Sequence, residues 1–161
     1  MKAVILQEYG GPQVLNYEET PRLEPNDEVL IRVMAASVNP VDVAIRSGKF
    51  AEYLPTSLPL IPGMDVAGFV ETRGSKISAL KAGDPVYAFF TLREESGVSI
   101  SAEPKSETFA ELTHLIDGRK LAPVVTQVFP LSEVAKAQDQ ITTRHMRGKI
   151  VPRVAPELKS R

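Results

Sequence analysis

The sequence predicts a strand-rich α+β fold, and three observations carry that prediction. Thirteen prolines and ten glycines imply many short strands joined by turns. Residues up to about Phe90 read as strand-rich, whereas the remainder alternates helix and strand. A hydrophobic content of 43% and a charged content of 24% are ordinary for a globular chain.

Taken in order, Lys2 to Gln7 is a short apolar strand. Tyr9-Gly10-Gly11-Pro12 is a turn, because glycine tolerates positive φ and proline presets the next φ. Val14 to Glu18 suits a second strand, and Pro21 to Asp27 a loop. Glu28 to Val38 is the best strand in the chain. Val29, Ile31, Val33 and Ala35 share one face, and Leu30, Arg32, Met34 and Ala36 the other. Asn39 is placed to cap a short helix, Val41 to Arg46, with Pro40 at its first position and Gly48 after its end. Pro55, Pro59 and Pro62 make residues 50–62 an irregular loop.

Gly63 to Thr72 is a strand in which Gly63 and Gly68 predict a bend or a close backbone approach. Pro85 to Phe90 is a strand that tolerates Pro85 only at its first residue or on an edge. Val98 to Ala102 is a further strand candidate. A helix begins at Ser106 or Glu107, with Phe109, Leu112, Leu115 and Ile116 on one face, His114 toward solvent, and Gly118 at the position after its end. Val124 to Phe129 is a strand. Ser132 caps a helix from Glu133 to about Thr142 with Val134, Ala137, Gln138 and Ile141 on one side. Gly148 to Val154 is the last strand.

Nineteen basic against twenty acidic residues give a net charge of −1. That balance argues against a nucleic-acid partner. The absence of cysteine excludes disulfides, thiolate catalysis and any zinc site built on Cys. The N-terminal residues are too short and polar a stretch for a signal peptide, and no run approaches a membrane span. A soluble, cytoplasmic protein is the expectation. No Gly-x-Ser-x-Gly elbow supports a Ser/His/Asp arrangement. His145, with Arg144 and Arg147, sits in a polar turn.

Several stretches, in order, resemble one family. They are Met1-Lys2-Ala3-Val4, Val38-Asn39-Pro40-Val41-Asp42, Ile61 to Val70, and Lys81-Ala82-Gly83-Asp84-Pro85-Val86-Tyr87. Leu121 to Val125, Val128 to Leu131, and Arg147-Gly148-Lys149-Ile150-Val151 complete the series. Together they are similar to the medium-chain dehydrogenase/reductase superfamily, in its zinc-independent quinone oxidoreductase-like branch. The resemblance implies a GroES-like, partly open β-barrel with flanking helices. In the family a Rossmann nucleotide-binding domain interrupts that body. Here the expected organisation is one domain over residues 1–154. It comprises an N-terminal segment (residues 1–92), a returning C-terminal segment (residues 97–154) and a junction at 92–97, and a tail follows at 155–161. No Gly-x-Gly-x-x-Gly fingerprint follows any strand, so no Rossmann domain and no tight cofactor binding are expected.

The resemblance also implies functional candidates. Zinc-dependent members carry Cys where Asn39 stands and His-Glu where Met64-Asp65 stands, so no metal site is expected. An Asn at position 39 reaches the nicotinamide of NADP(H) and the substrate in the resembling enzymes, and its amide both donates and accepts. The helix cap proposed above is the structural alternative. Asp42 and Asp65 form a possible acid/base pair. Their structural alternatives are a first-turn helix charge for Asp42 and backbone or Arg hydrogen bonds for Asp65. Tyr53 lies in a loop that borders the substrate cleft in the family, where it would stack or donate, or simply pack the loop. The implied role is the substrate side of a quinone or enone reductase, inactive alone. The alternative is a non-enzymatic module that oligomerises through its exposed face or binds a small molecule.

Overall fold

The computed structural model describes residues 1–22, 28–52, 57–89, 106–143 and 145–155. Tyr53, the 92–97 junction, the strand expected at 98–102 and most of the expected tail lie outside the described residues. Among these residues, two sheets form the body. β1 (Lys2–Leu6) and β2 (Leu15–Glu19) pair antiparallel. A five-stranded sheet has the order β5-β4-β3-β7-β6, from β3 (Val29–Ala35), β4 (Asp65–Arg73), β5 (Pro85–Phe89), β6 (Val125–Pro130) and β7 (Lys149–Arg153). The helices are α1 (Pro40–Arg46), α2 (Ser106–Asp117) and α3 (Val134–Thr142). The five-stranded sheet is open, with β5 and β6 at its edges.

The strand following the acidic turn near Asp84 begins at Pro85 and lies on an edge, where a missing N–H does least harm to the ladder. Gly68 pairs with Val33, next to a register shift in β3. A Cβ at Gly68 would stand 2.1 Å from the Arg32 carbonyl oxygen, so the close approach expected from sequence is real. β3 is not cleanly two-faced. Of its seven residues only Arg32 is exposed, because the strand is central in its sheet, with β4 on one side and β7 on the other.

The long-range join is between β3 and β7. Ala35 pairs with Arg153, and the ladder runs on through Ala36 N–H to Pro152 O at 3.1 Å and Val38 N–H to Ile150 O at 3.1 Å. Behind this seam Val38, Ala137 and Ile150 are buried together, and Phe129, Val134, Ile141 and Met146 pack around them. The expected apolar side of α3 is therefore its inner face. Burying these side chains stabilises the domain by roughly 1.5–3 kcal/mol for each large one.

Two helix ends differ from the sequence expectation. Ser132 lies inside a 3-10 turn, Leu131–Glu133, and α3 starts after it with Glu133 at the N-cap. The turn closes early because Val134 N–H bonds back to Leu131 O. At the end of α2 the left-handed residue is Arg119, at φ 54°, rather than Gly118. Lys120 N–H reaches Leu115 O at 2.8 Å and Arg119 N–H reaches Ile116 O at 2.9 Å, which is a Schellman closure centred one residue later than the glycine. The stripe of α2 is only half-buried, and Ile116 is exposed. The helix is tied to the sheet by Tyr87, whose hydroxyl meets Thr113 Oγ1 at 2.6 Å and Phe109 O at 3.0 Å.

Candidate functional site

The register of the sheet builds the site. Extending the β3–β7 ladder one residue past Val38 and Ile150 sets Asn39 beside Lys149. Extending the β3–β4 ladder beyond Ala35 and Ala67 sets Ser37 opposite Asp65. Three segments far apart in sequence thus converge at one end of β3.

Their side chains form a connected polar cluster. Asn39 Nδ2 donates to Asp65 Oδ2 at 2.7 Å and to Ser37 Oγ at 3.4 Å. Ser37 Oγ also donates to Asp65 Oδ2. Lys149 Nζ donates to Asn39 Oδ1. Asn39 occupies the N-cap of α1 in extended backbone, with Pro40 next, as the sequence predicts. Its main-chain N–H donates to Asp42 Oδ2 at 2.7 Å. Cap and cluster roles therefore coexist in one residue.

Asp42 is 3% exposed, and its Oδ1 has no partner among the described residues. Burial pushes its carboxyl up from 3.8 to about 6. The Asn39 N–H and the Lys149 ammonium oppose that rise, while Asp65 adds to it. Four residues on, Arg46 is also buried, with Nε and Nη1 unpartnered among the described residues. Burial lowers its pKa against the favourable field of Asp139. Gln138 on α3 is buried too, with Oε1 unpartnered in the same sense.

The structure thus brings Asn39, Asp42 and Asp65 together. Asp65 takes side-chain donors from Asn39 and Ser37 rather than the backbone or Arg donors anticipated for it. Met64 is 4% exposed, so its thioether belongs to the core rather than to an open cleft. Tyr53 is outside the described residues. His114 and His145 are exposed. Sequence reasoning singled out neither Ser37 nor Lys149 as a functional residue. The signal for Lys149 was its place in the Arg147-Gly148-Lys149 run opening the last strand. A separate groove of about 360 Å³, lined by Tyr17, Phe129, Ser132 and Arg153 among others, contains none of the cluster residues.

Fold and cluster together define a GroES-like domain: an open, strand-rich α+β sheet with a polar site where β3, β4 and β7 meet. A family profile described as the alcohol dehydrogenase GroES-like domain matches residues 25–128. Quinone oxidoreductase of Lama guanicoe is 34% identical over 158 residues, covering 93% of this chain and 47% of the relative. The chloroplastic NADPH-dependent alkenal/one oxidoreductase of Arabidopsis thaliana is 39% identical over 133 residues, covering 71% of this chain and 34% of the relative. The quinone oxidoreductase structure from Coxiella burnetii superposes with a TM-score of 0.80 at 17% identity, over 96% of this chain and 99% of that one. That structural likeness shows the fold.

The chain belongs to the alcohol dehydrogenase GroES-like domain family, on the quinone oxidoreductase-like side of the medium-chain dehydrogenase/reductase superfamily. It spans about half the length of the first of these curated relatives and a third of the second. Among the described residues no helix is long and apolar enough to cross a membrane.

Proposed function

We propose that this chain is the carbonyl-binding side of an NADP(H)-dependent, zinc-independent reductase of quinones or enones, and that it has little activity alone. A cytoplasmic location and a single domain over residues 1–154, divided at 92–97, belong to the same reading. The observation that carries it is the Ser37–Asn39–Asp65–Lys149 cluster, a set of polar groups gathered at one end of a central strand. The printed activities of the relatives, a quinone oxidoreductase and an NADPH-dependent alkenal/one oxidoreductase, support the substrate and cofactor classes. The donor set supports the absence of zinc. An amide, a buried thioether and a carboxylate that already accepts two donors are a poor zinc site.

Among the described residues, the helix starts offer no seat for a dinucleotide diphosphate. α1 follows Val38-Asn39, α3 follows Leu131-Ser132-Glu133, and the sequence before α2 is Ala102-Glu103-Pro104-Lys105, so none of these helices starts from a glycine-rich turn. Two measurements test the reading. NADPH fluorescence titration of the chain alone is expected to show no saturation in the micromolar range, and saturation there would overturn it. NADPH oxidation with a quinone or an enone is expected only after a homologous nucleotide-binding domain is added.

A second reading, a self-associating module without catalysis, has one specific observation in its favour. Val124, Val125 and Val128 are 65%, 46% and 49% exposed, and two of them lie on the edge strand β6. Exposed apolar edges favour strand-to-strand association. Size-exclusion chromatography should then show a dimer or higher oligomer that Val128→Lys reduces to monomer. A strict monomer at high concentration would remove this reading.

A further inference from the structure

We propose that Lys149 is the ligand-facing group of the cluster, and that its ammonium receives the oxygen of a neutral conjugated carbonyl. The inference deepens the reading above and rests on it. The amide of Asn39 is engaged within the chain at both ends. Its two Nδ2 hydrogens serve Asp65 and Ser37, and its Oδ1 accepts from Lys149. Asp42 Oδ2 is occupied by the Asn39 main-chain N–H. Asp65 Oδ2 takes both the Ser37 hydroxyl and the Asn39 amide.

Lys149 differs from these groups. An ammonium carries three donors, and one of them goes to Asn39. The side chain is exposed at the first residue of β7. Gly148 fixes its approach, because φ of +83° and a Cβ position only 2.3 Å from Val124 O admit no side chain there. Lys149 N–H is itself held by Val124 O at 2.8 Å. A spare pair of charged donors on an anchored strand end, steered by a fixed amide, is a carbonyl-binding device.

The surrounding charge sets the ligand class. Asp42 and Asp65 each hydrogen-bond to Asn39, the residue that Lys149 also meets, so the cluster holds two carboxyl groups against one ammonium. A carboxylate or phosphate oxygen would meet repulsion from both. A neutral carbonyl accepts the ammonium hydrogen bond without that cost. Two sources present such an oxygen, the ketone of an enone substrate and the carboxamide of a nicotinamide.

The test is a titration of the isotopically labelled full chain, followed through the Asn39 side-chain amide signals and the Lys149 side-chain signals. The probes are 2-cyclohexen-1-one, nicotinamide and cyclohexanecarboxylate. The enone, nicotinamide or both should shift these signals saturably, and the one that does so identifies the source. Cyclohexanecarboxylate should not. Lys149→Met, which keeps the aliphatic stem, should weaken probe binding by about tenfold or more, and Lys149→Arg should hold it within about threefold. The amide signals of Val38, Ala137 and Ile150 report whether each variant keeps the fold. If Lys149→Met does not fold, the Lys149 side-chain signals of the unaltered chain decide alone. No saturable shift, tighter binding of the carboxylate, or a folded Lys149→Met that titrates like the unaltered chain would overturn the proposal. The reductase reading fails separately, when an added nucleotide-binding domain yields no NADPH oxidation while the carbonyl probes still bind.

Discussion

Asp42→Asn should make the chain's stability less dependent on pH, and the size of the effect follows from burial. Asp42 is 3% exposed and titrates near 6 in the folded chain, against 3.8 for the free side chain. Its folded pKa is raised, so the folded state binds the proton more tightly than the unfolded state. Stability is then greatest at low pH, where both states are protonated, and falls as pH rises between about 4 and 6. The shift of about two units corresponds to roughly 3 kcal/mol at most, at 1.36 kcal/mol per unit. Asparagine keeps an acceptor for the Asn39 N–H but does not ionise. Its new buried N–H costs about 1–3 kcal/mol, and that cost is the same at every pH. The mutant-minus-wild-type stability should therefore rise by about 2–3 kcal/mol from about pH 4 to about pH 7, or roughly 5–10 °C in Tm for a chain of this length. Urea denaturation at a series of pH values measures it. A difference that stays flat across this window, or falls toward neutrality, would refute the assignment of the cost to Asp42.

Two backbone changes test the fold. Arg119→Gly should stabilise the chain by about 1 kcal/mol, since φ of 54° suits glycine and strains other residues; thermal melts showing no gain would place the helix end elsewhere. Gly68→Ala should destabilise by several kcal/mol or prevent folding, because its Cβ would collide with the Arg32 carbonyl in the central strand pair; denaturation close to wild type would contradict the 2.1 Å approach.

The features legible in sequence are those with local causes. Pro85 demanded an edge, Gly68 a close contact, Asn39-Pro40 a helix start, and Ala137 with Ile141 the inner side of α3. The C-terminus of α2 misled because Gly118 is the obvious residue to leave a helix, yet the turn closes through Arg119. The expected capping by Ser132 failed similarly, since the 3-10 turn at Leu131 comes first. In the site, Asn39, Asp42 and Asp65 were visible because they stand in recognisable runs. The Lys149 bond was not, because its partners lie 110 residues apart and only the strand register brings them together. The raised pKa of Asp42 was equally hidden, since it arises from burial that no single sequence pattern encodes.

The seam between β3 and β7 has a topological corollary. β5, an outer strand of the five-stranded sheet, is described as far as Phe89, and the described residues resume at Ser106, the first of α2. None of the described ladders runs through that crossing. A whole additional body could be spliced in or removed at this point while the pairing of Ala35 with Arg153 stayed in place. The β3–β7 seam would then act as a chassis indifferent to the length of chain between those two points.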